Sequence, residues 1–236
     1  MTLLNSPQFW LNVARLATLI FTAFIAFMTY QSYQLLTRYK PNFNVLLSLP
    51  ESIARIVMVL ICLFIAWMSG LSRAELGLTV DHLWWSIAVG LGVGIVIQLT
   101  INIVTVQAVN RYGSHIYLPW LVRNILPSHR SQWIWLALAF IPPVAMEELL
   151  FRTLWVGLFQ DVIPLAILIS GTSLVFGLMH GPQGKLGMIV TGTINAIFCL
   201  LFVWSGELLV TLVAHYTVNM LQLITAHFQR DWLDTL

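Results

Sequence analysis

Residues 84–106 read WWSIAVGLGVGIVIQLTINIVTV and contain no Asp, Glu, Lys, Arg or His. A run of about 20 predominantly apolar residues is long enough to cross the hydrocarbon core of a bilayer as an α-helix. Further apolar stretches lie on both sides of it, at residues 11–36, 53–70, 132–160, 162–180, 187–204 and 208–227. The sequence therefore predicts an all-α fold, a polytopic transmembrane helical bundle with about seven spans.

The composition excludes an ordinary soluble protein. Hydrophobic residues make up 59% of the chain and charged residues 8%, whereas about a quarter of the residues in an average soluble domain are charged. So few charges cannot cover a soluble surface of this size, and we expect lipid as the main solvent. The net charge of +2 is too small to indicate nucleic-acid binding, so nucleic acid is not an expected partner.

The distribution of positive charge predicts the orientation. If seven spans alternate, only Arg73 falls in a connection on one side, and that side is expected to face outward. The N-terminus would then be outside and the C-terminus inside, unless the first span is divided or interfacial. We expect a multi-pass protein of the bacterial cytoplasmic membrane. The residues predicted on the inner side are Arg38, Lys40, Arg111, Arg123, Arg130, Lys185 and Arg230.

Two features of residues 84–106 concern helix packing. The small residues Gly90, Gly92 and Gly94 would let a neighbouring helix approach closely. Gln98 and Asn102 lie four residues apart on one helix face. We interpret this amide pair as a polar seam that helps to hold helices together.

The connection that follows this span carries Tyr117 and Trp120, so part of it is expected to lie on the membrane surface as an interfacial helix.

Ionisable residues within the predicted spans are concentrated in the C-terminal half. A charge in hydrocarbon costs at least about 2.5–3.5 kcal/mol, so such residues need a reason to be there. The first three spans contain only Arg15 and Arg55, both near span ends. The last four contain Glu147, Glu148, Arg152, His180 and His215. This asymmetry predicts a polar site built from the fourth, fifth and seventh spans.

The spacing of the acidic pair separates two roles. Glu148 and Arg152 lie four residues apart on one helix face and can form an ion pair. Glu147 is turned by about 100°, which leaves it without that partner and available as a base. The pair is equally compatible with a purely structural role, in which it locks two spans together.

Two further patterns bring side chains suited to hydrolysis. Phe176 precedes His180 by four residues, and His215 precedes Asn219 by four. A carboxylate base can activate water, an imidazole can position it, and amide donors can stabilise a developing oxyanion. A lone histidine or asparagine in a span more commonly makes an interhelical hydrogen bond.

Straight helices would place these groups at different depths. At about 1.5 Å per residue, His180 would lie deeper from the outer side than Glu147, and Glu147 deeper than His215. Pro142 and Pro164 are expected to kink the fourth and fifth spans. Kinks and tilt would be needed to bring the groups level.

Taken in order, the motifs E-E-x-x-x-R, F-x-x-x-H and H-x-x-x-N make the sequence resemble the CPBP family of intramembrane endopeptidases, which includes type II CAAX prenyl endopeptidases and bacteriocin-processing proteins. The resemblance covers about residues 133–224. It divides the chain into N-terminal transmembrane helices with an interfacial connection (1–130), a catalytic core (131–227) and a C-terminal tail (228–236).

The resemblance implies a role for each motif residue. Glu147 would be the base that activates water, and His180 would hold that water with it. His215 and Asn219 would form the oxyanion site. No cofactor is expected, although a zinc ion bound by Glu147, His180 and His215 is the alternative. The residues that would support the first glutamate are Glu148, Arg152 and Phe176.

The activity implied by the resemblance is hydrolysis of a peptide bond in a membrane-associated or lipidated, CAAX-like protein or peptide. Two other functions fit the same polar residues. A proton-coupled transporter also uses intramembrane Glu and His, but no inverted repeat is visible in the sequence. A non-catalytic membrane scaffold or immunity protein could retain the pocket without the chemistry.

Overall fold

The computed structural model describes residues 6–234, and all regular secondary structure in that range is helical. The long helices are α1 (Pro7–Arg38), α2 (Leu49–Met68), α3 (Leu83–Tyr112), α9 (Gly184–Ser205) and α10 (Leu208–Phe228). The fourth span is a continuous series of α5 (Gln132–Ala139), α6 (Ile141–Glu148), a π-helix (Leu149–Val156) and α7 (Gly157–Phe159). The shorter helices are α4 (Trp120–Ile125), α8 (Leu165–Met179) and α11 (Arg230–Asp234).

The predicted all-α bundle with about seven spans is confirmed. Within the described residues, 6 helices are long and apolar enough to cross a membrane. The remaining predicted span, the fifth (residues 162–180), corresponds to α8, an apolar helix of 15 residues. It is about 22 Å long at ~1.5 Å per residue, which is shorter than the usual hydrocarbon core of about 30 Å. Every predicted span therefore has a helix at its position.

One end of the bundle gathers the connections that carry most of the basic residues, and we call it the basic end. The backbone N–H of Leu118 donates to the Gln183 carbonyl over 3.2 Å, which joins the α3–α5 connection to the turn before α9. The Arg230 guanidinium donates to the Pro127 carbonyl over 3.4 Å. Asn124 also bonds to the connection between α1 and α2. The predicted grouping of these connections on one side is confirmed.

The opposite end joins the remaining connections. The Leu208 N–H donates to the Gly77 carbonyl over 2.8 Å, between the connections that precede α10 and α3. Near the start of α1, Arg15 forms an ion pair of 2.6 Å with Asp161, which follows α7. The start of α1 thus lies at the end opposite to the basic end, as alternating spans require.

Helices α3 and α10 run parallel and pack closely. A Cβ added at Gly90 would lie 2.7 Å from the Val210 carbonyl oxygen, and one at Gly94 would lie 2.7 Å from the Ala214 carbonyl oxygen. Contacts this short leave no room for a side chain. Gly92 faces open space. The expected close approach at the small residues is therefore real, and it uses alternate glycines on one helix face.

The fourth span is interrupted at Phe140, two residues before the first of the two prolines, which lie in the first turn of α6. Pro142 lacks a backbone N–H, so the helix cannot continue its regular bonding through this point. The π-helix that follows was not predicted. Its buried side chains Leu150, Phe151 and Leu154 lie in the main apolar core with residues of α1, α2 and α8.

Candidate active site

The predicted ion pair between Glu148 and Arg152 is present at the junction of α6 and the π-helix. Arg152 Nε lies 3.2 Å from Glu148 Oε2, and both side chains are 0% exposed. The guanidinium carbon of Arg152 lies 5.4 Å from the centre of the Phe198 ring, a distance at which a cation is attracted to the electronegative face of the ring. The buried cation is therefore compensated by a carboxylate and by an aromatic ring.

His215 on α10 lies between the two glutamates. Its Nδ1 is 2.7 Å from Glu148 Oε1, and its Nε2 is 3.7 Å from Glu147 Oε2. With Nδ1–H donating to Glu148, the other ring nitrogen faces Glu147. A separation of 3.7 Å is too long for a direct hydrogen bond, but a water molecule can bridge such a gap. Straight helices would place Glu147 and His215 at different depths, but in the structure the two side chains lie close together.

His180 ends α8 beside the same site. Its Nδ1 is 2.7 Å from the Phe176 carbonyl oxygen, so the neutral ring donates from Nδ1 and leaves Nε2 as an acceptor. The Phe176 ring lies 4.5 Å from the His180 ring and 6.5 Å from the His215 ring, centre to centre. Within residues 6–234, His180 forms no ion pair with either glutamate. Phe176 thus packs against both imidazoles.

Asn219 lies one helical turn after His215 on α10 and is half-buried. Its side chain makes no hydrogen bond with any residue that the structure describes. Its amide group remains free to donate to a bound molecule. The structure therefore places Asn219 next to the predicted site but does not bring it into contact with the glutamates.

Comparison with protein families matches this part of the chain. Residues 129–221 match the Rce1-like family model, described as type II CAAX prenyl endopeptidase Rce1-like. The matched segment contains all three motifs, and the resemblance seen in the sequence is confirmed there. Comparison with curated proteins gave no match, and neither did comparison with solved structures. The matched family is one of membrane proteases, and this supports a protease activity.

The two glutamates of the Rce1-like segment differ in their access to solvent. The Glu147 side chain is 21% exposed, whereas the Glu148 side chain is fully buried. Glu148 is already bonded to His215 and paired with Arg152. Glu147 is therefore the carboxylate that a water molecule or a substrate can reach.

Two elements of the site were not predicted from the sequence. Phe198 on α9 packs against the His215 ring with a centre-to-centre distance of 5.5 Å, in addition to its contact with Arg152. A phenylalanine in an apolar span carries no signal that would distinguish it from ordinary core. The contact between His215 and Glu148 was also missed, because the i,i+4 rule that pairs Glu148 with Arg152 concerns only one helix.

The alternative zinc site would use Glu147, His180 and His215 as its ligands. Among the described residues, no group of three or more His, Cys, Asp and Glu side chains is arranged to hold a metal ion. Glu147 and His215 are neighbours, but His180 bonds to the Phe176 carbonyl and packs against the Phe176 ring. The nitrogen and oxygen donors have the chemistry that zinc prefers, yet their arrangement does not fit a three-ligand site.

Proposed function

We propose that this protein is an intramembrane endopeptidase that hydrolyses a peptide bond of a membrane-associated or lipidated protein, using a water molecule activated by Glu147. The observation that supports this most strongly is the position of His215. Glu148 holds one nitrogen of its ring, and the other nitrogen lies 3.7 Å from Glu147, the glutamate accessible to solvent. A base and a potential hydrogen-bond donor therefore face the same small space.

In the proposed reaction, the Glu147 carboxylate takes a proton from water, and the oxygen of that water attacks the carbonyl carbon of the scissile bond. His180 Nε2 accepts the second hydrogen of the water and fixes its direction. The carbonyl oxygen becomes an oxyanion, which the Asn219 amide N–H stabilises together with His215 in its imidazolium form, whose Nδ1–H bonds to Glu148 and whose Nε2–H faces the oxyanion. When the tetrahedral intermediate breaks down, the proton on Glu147 passes to the leaving amine.

Glu148, Arg152 and Phe176 have positioning roles in this proposal. Glu148 fixes the orientation of the His215 ring through its hydrogen bond to Nδ1, and its negative charge stabilises the imidazolium form. Arg152 keeps the buried Glu148 charge compensated. Phe176 holds His180 through a backbone hydrogen bond and a ring contact, so its aromatic ring sets the spacing between the two histidines.

The test is cleavage by the purified full-length protein in liposomes, measured by mass spectrometry with two probes, an unmodified peptide library and a prenylated CAAX peptide. We expect Glu147→Gln to lower the cleavage rate by about 10²–10⁴-fold, the usual contribution of a general base, and to leave folding unchanged. The matched control is Glu75→Gln, because Glu75 is an exposed carboxylate in the connection between α2 and α3. Wild-type rates in Glu147→Gln would reject the mechanism, and the probe that is cleaved identifies the substrate class.

Dependence on metal is tested separately. If water is activated by Glu147 alone, cleavage persists after exhaustive chelation. Loss of cleavage that returns specifically with zinc would replace this mechanism with one in which Glu147, His180 and His215 rearrange around the ion.

A further inference from the structure

A cavity with apolar and neutral polar walls lies at the basic end of the bundle, between α3, α9, α10 and the connection before α4. Its volume is about 70 Å³, several times what a single water molecule needs, so one carboxamide group fits inside. Within the described chain, none of its lining residues is Asp, Glu, Lys, Arg or His. Its polar walls come from neutral amides and hydroxyls, chiefly Gln98, Asn102, Gln183, Gln222 and Gln229.

Gln98 and Asn102 give this cavity its hydrogen-bonding character. Gln98 is 2% exposed, and its Nε2 donates to Asn102 Oδ1 over 2.8 Å. Gln98 Oε1 is buried and has no hydrogen-bond partner among the described residues, and Asn102 Nδ2 makes no bond to them either. The expected seam between helices is thus a bond within α3. Gln98 Oε1 has almost no accessible surface, so the pair offers the cavity the unused Asn102 Nδ2 donor. Gln222 also lines the cavity, and its side chain makes no hydrogen bond with the described residues, so its carbonyl oxygen is an unused acceptor.

The cavity is lined by the same face of α10 that carries the candidate active site, further along the helix. His215, Asn219 and Gln222 follow one another at helical spacing along that face. Gln222 lies about 10 Å from His215 along the axis at ~1.5 Å per residue. An extended peptide covers that distance in about three residues. Gln183, which also lines the cavity, lies three residues after His180. Each of the two histidines is therefore followed along the chain by a residue of the cavity lining.

We propose that this cavity is a substrate subsite, which we call the amide subsite, for an Asn or Gln side chain about three residues from the scissile bond. This rests on the proposed function. A carboxamide has one carbonyl acceptor and an N–H donor, which match the free Asn102 donor and the free Gln222 acceptor in the cavity lining. A charged side chain would enter without a counter-charge, and burying it there is unfavourable.

The experiment uses a synthetic peptide library randomised at each position, with the full-length protein in liposomes. Cleavage products are profiled for the wild type, and peptides bound at equilibrium are profiled for the non-cleaving Glu147→Gln variant. We expect enrichment of Asn and Gln at one fixed position in both profiles. Gln98→Leu should reduce that enrichment about tenfold, as expected for the loss of about one hydrogen bond, and Asn102→Leu should act in the same way.

Gln107→Leu is the matched control, because Gln107 is exposed on the same helix and lies outside the cavity lining. It should leave both profiles unchanged. Cleavage without any amide preference, or a preference that survives both Gln98→Leu and Asn102→Leu, overturns the amide subsite and leaves the peptidase standing. Amide-selective binding without cleavage by the wild type supports the amide subsite and rejects the peptidase. If no peptide is bound or cleaved, both are rejected.

Discussion

Replacement of Arg152 by methionine would remove one charge from the buried ion pair and leave Glu148 charged. At the observed separation of 3.2 Å, two unit charges attract by about 5 kcal/mol at an effective dielectric constant of about 20. Glu148 is fully buried and would keep its hydrogen bond to His215 but lose its guanidinium partner. Breaking such a pair usually costs about 3–5 kcal/mol, mostly because the remaining charge stays buried without compensation. We expect Arg152→Met to lower the free energy of unfolding by that amount.

The chain contains a matched control for this change. Glu51 and Arg55 have the same i,i+4 order, and their closest contact is 2.6 Å, shorter than that of the buried pair. Their side chains are 37% and 28% exposed, so solvent screens the interaction. An exposed pair contributes at most about 1 kcal/mol. Arg55→Met should therefore destabilise much less than Arg152→Met, although the contact it removes is shorter.

The assay is denaturant unfolding in mixed micelles, followed by tryptophan fluorescence, on both single variants and on Glu148→Leu/Arg152→Met. The double variant should recover part of the stability lost in Arg152→Met, because no buried charge remains unpaired. Recovery will be incomplete, because His215 Nδ1 loses its acceptor. An unsatisfied buried donor lowers the free energy of unfolding by about 1–3 kcal/mol. Equal effects of Arg152→Met and Arg55→Met, or a double variant less stable than Arg152→Met, would refute this account of the pair.

Three further predictions concern the packing and are tested by the same unfolding assay. Gly94→Ala should lower the free energy of unfolding by about 1–3 kcal/mol, because the added Cβ would lie 2.7 Å from α10. Gly92 faces open space, so Gly92→Ala should raise the free energy of unfolding by up to about 1 kcal/mol. Equal effects of the two substitutions would contradict the close approach of α3 and α10. Trp155→Phe should cost about 1 kcal/mol by removing the 2.9 Å hydrogen bond to Thr22, and a neutral result would show that this bond contributes nothing. Gly206→Ala should cost about 1–2 kcal/mol because Gly206 has a φ of 70°, and a stabilising effect would exclude that conformation.

The helices could be predicted because the signal for a span is local. Residues 84–106 predict α3 from length and apolarity alone, and the helix extends beyond them to Leu83 and Tyr112. The prolines of the fourth span likewise predict an interruption, and it occurs at Phe140. The π-helix at Leu149–Val156 could not be predicted, because its sequence is that of an ordinary apolar helix.

The contacts within the site were predictable only where they lie within one helix. Glu148 and Arg152 are neighbours on consecutive turns, so spacing alone gives the pair. The position of His215 depends on how α10 crosses α6, and Gly90 and Gly94 help to set it by bringing α10 against α3. The sequence identifies the three motifs, but it does not show which of the two adjacent glutamates forms the hydrogen bond with His215. The structure bonds Glu148 to it and leaves Glu147 accessible.

The N-terminal helices, which carry none of the three motifs, also contribute to the candidate site's surroundings. Helices α1 and α2 pack against the π-helix that carries Arg152, so they help to exclude water from the ion pair. Helix α3 provides Gln98 and Asn102 to the amide subsite, and both lie outside the segment that matches the family model. If the amide subsite selects the substrate, selectivity depends on residues that the family motifs do not include. Exchanges at Gln98 should then change which peptides are cleaved, whereas exchanges at Glu147 should stop cleavage of all of them.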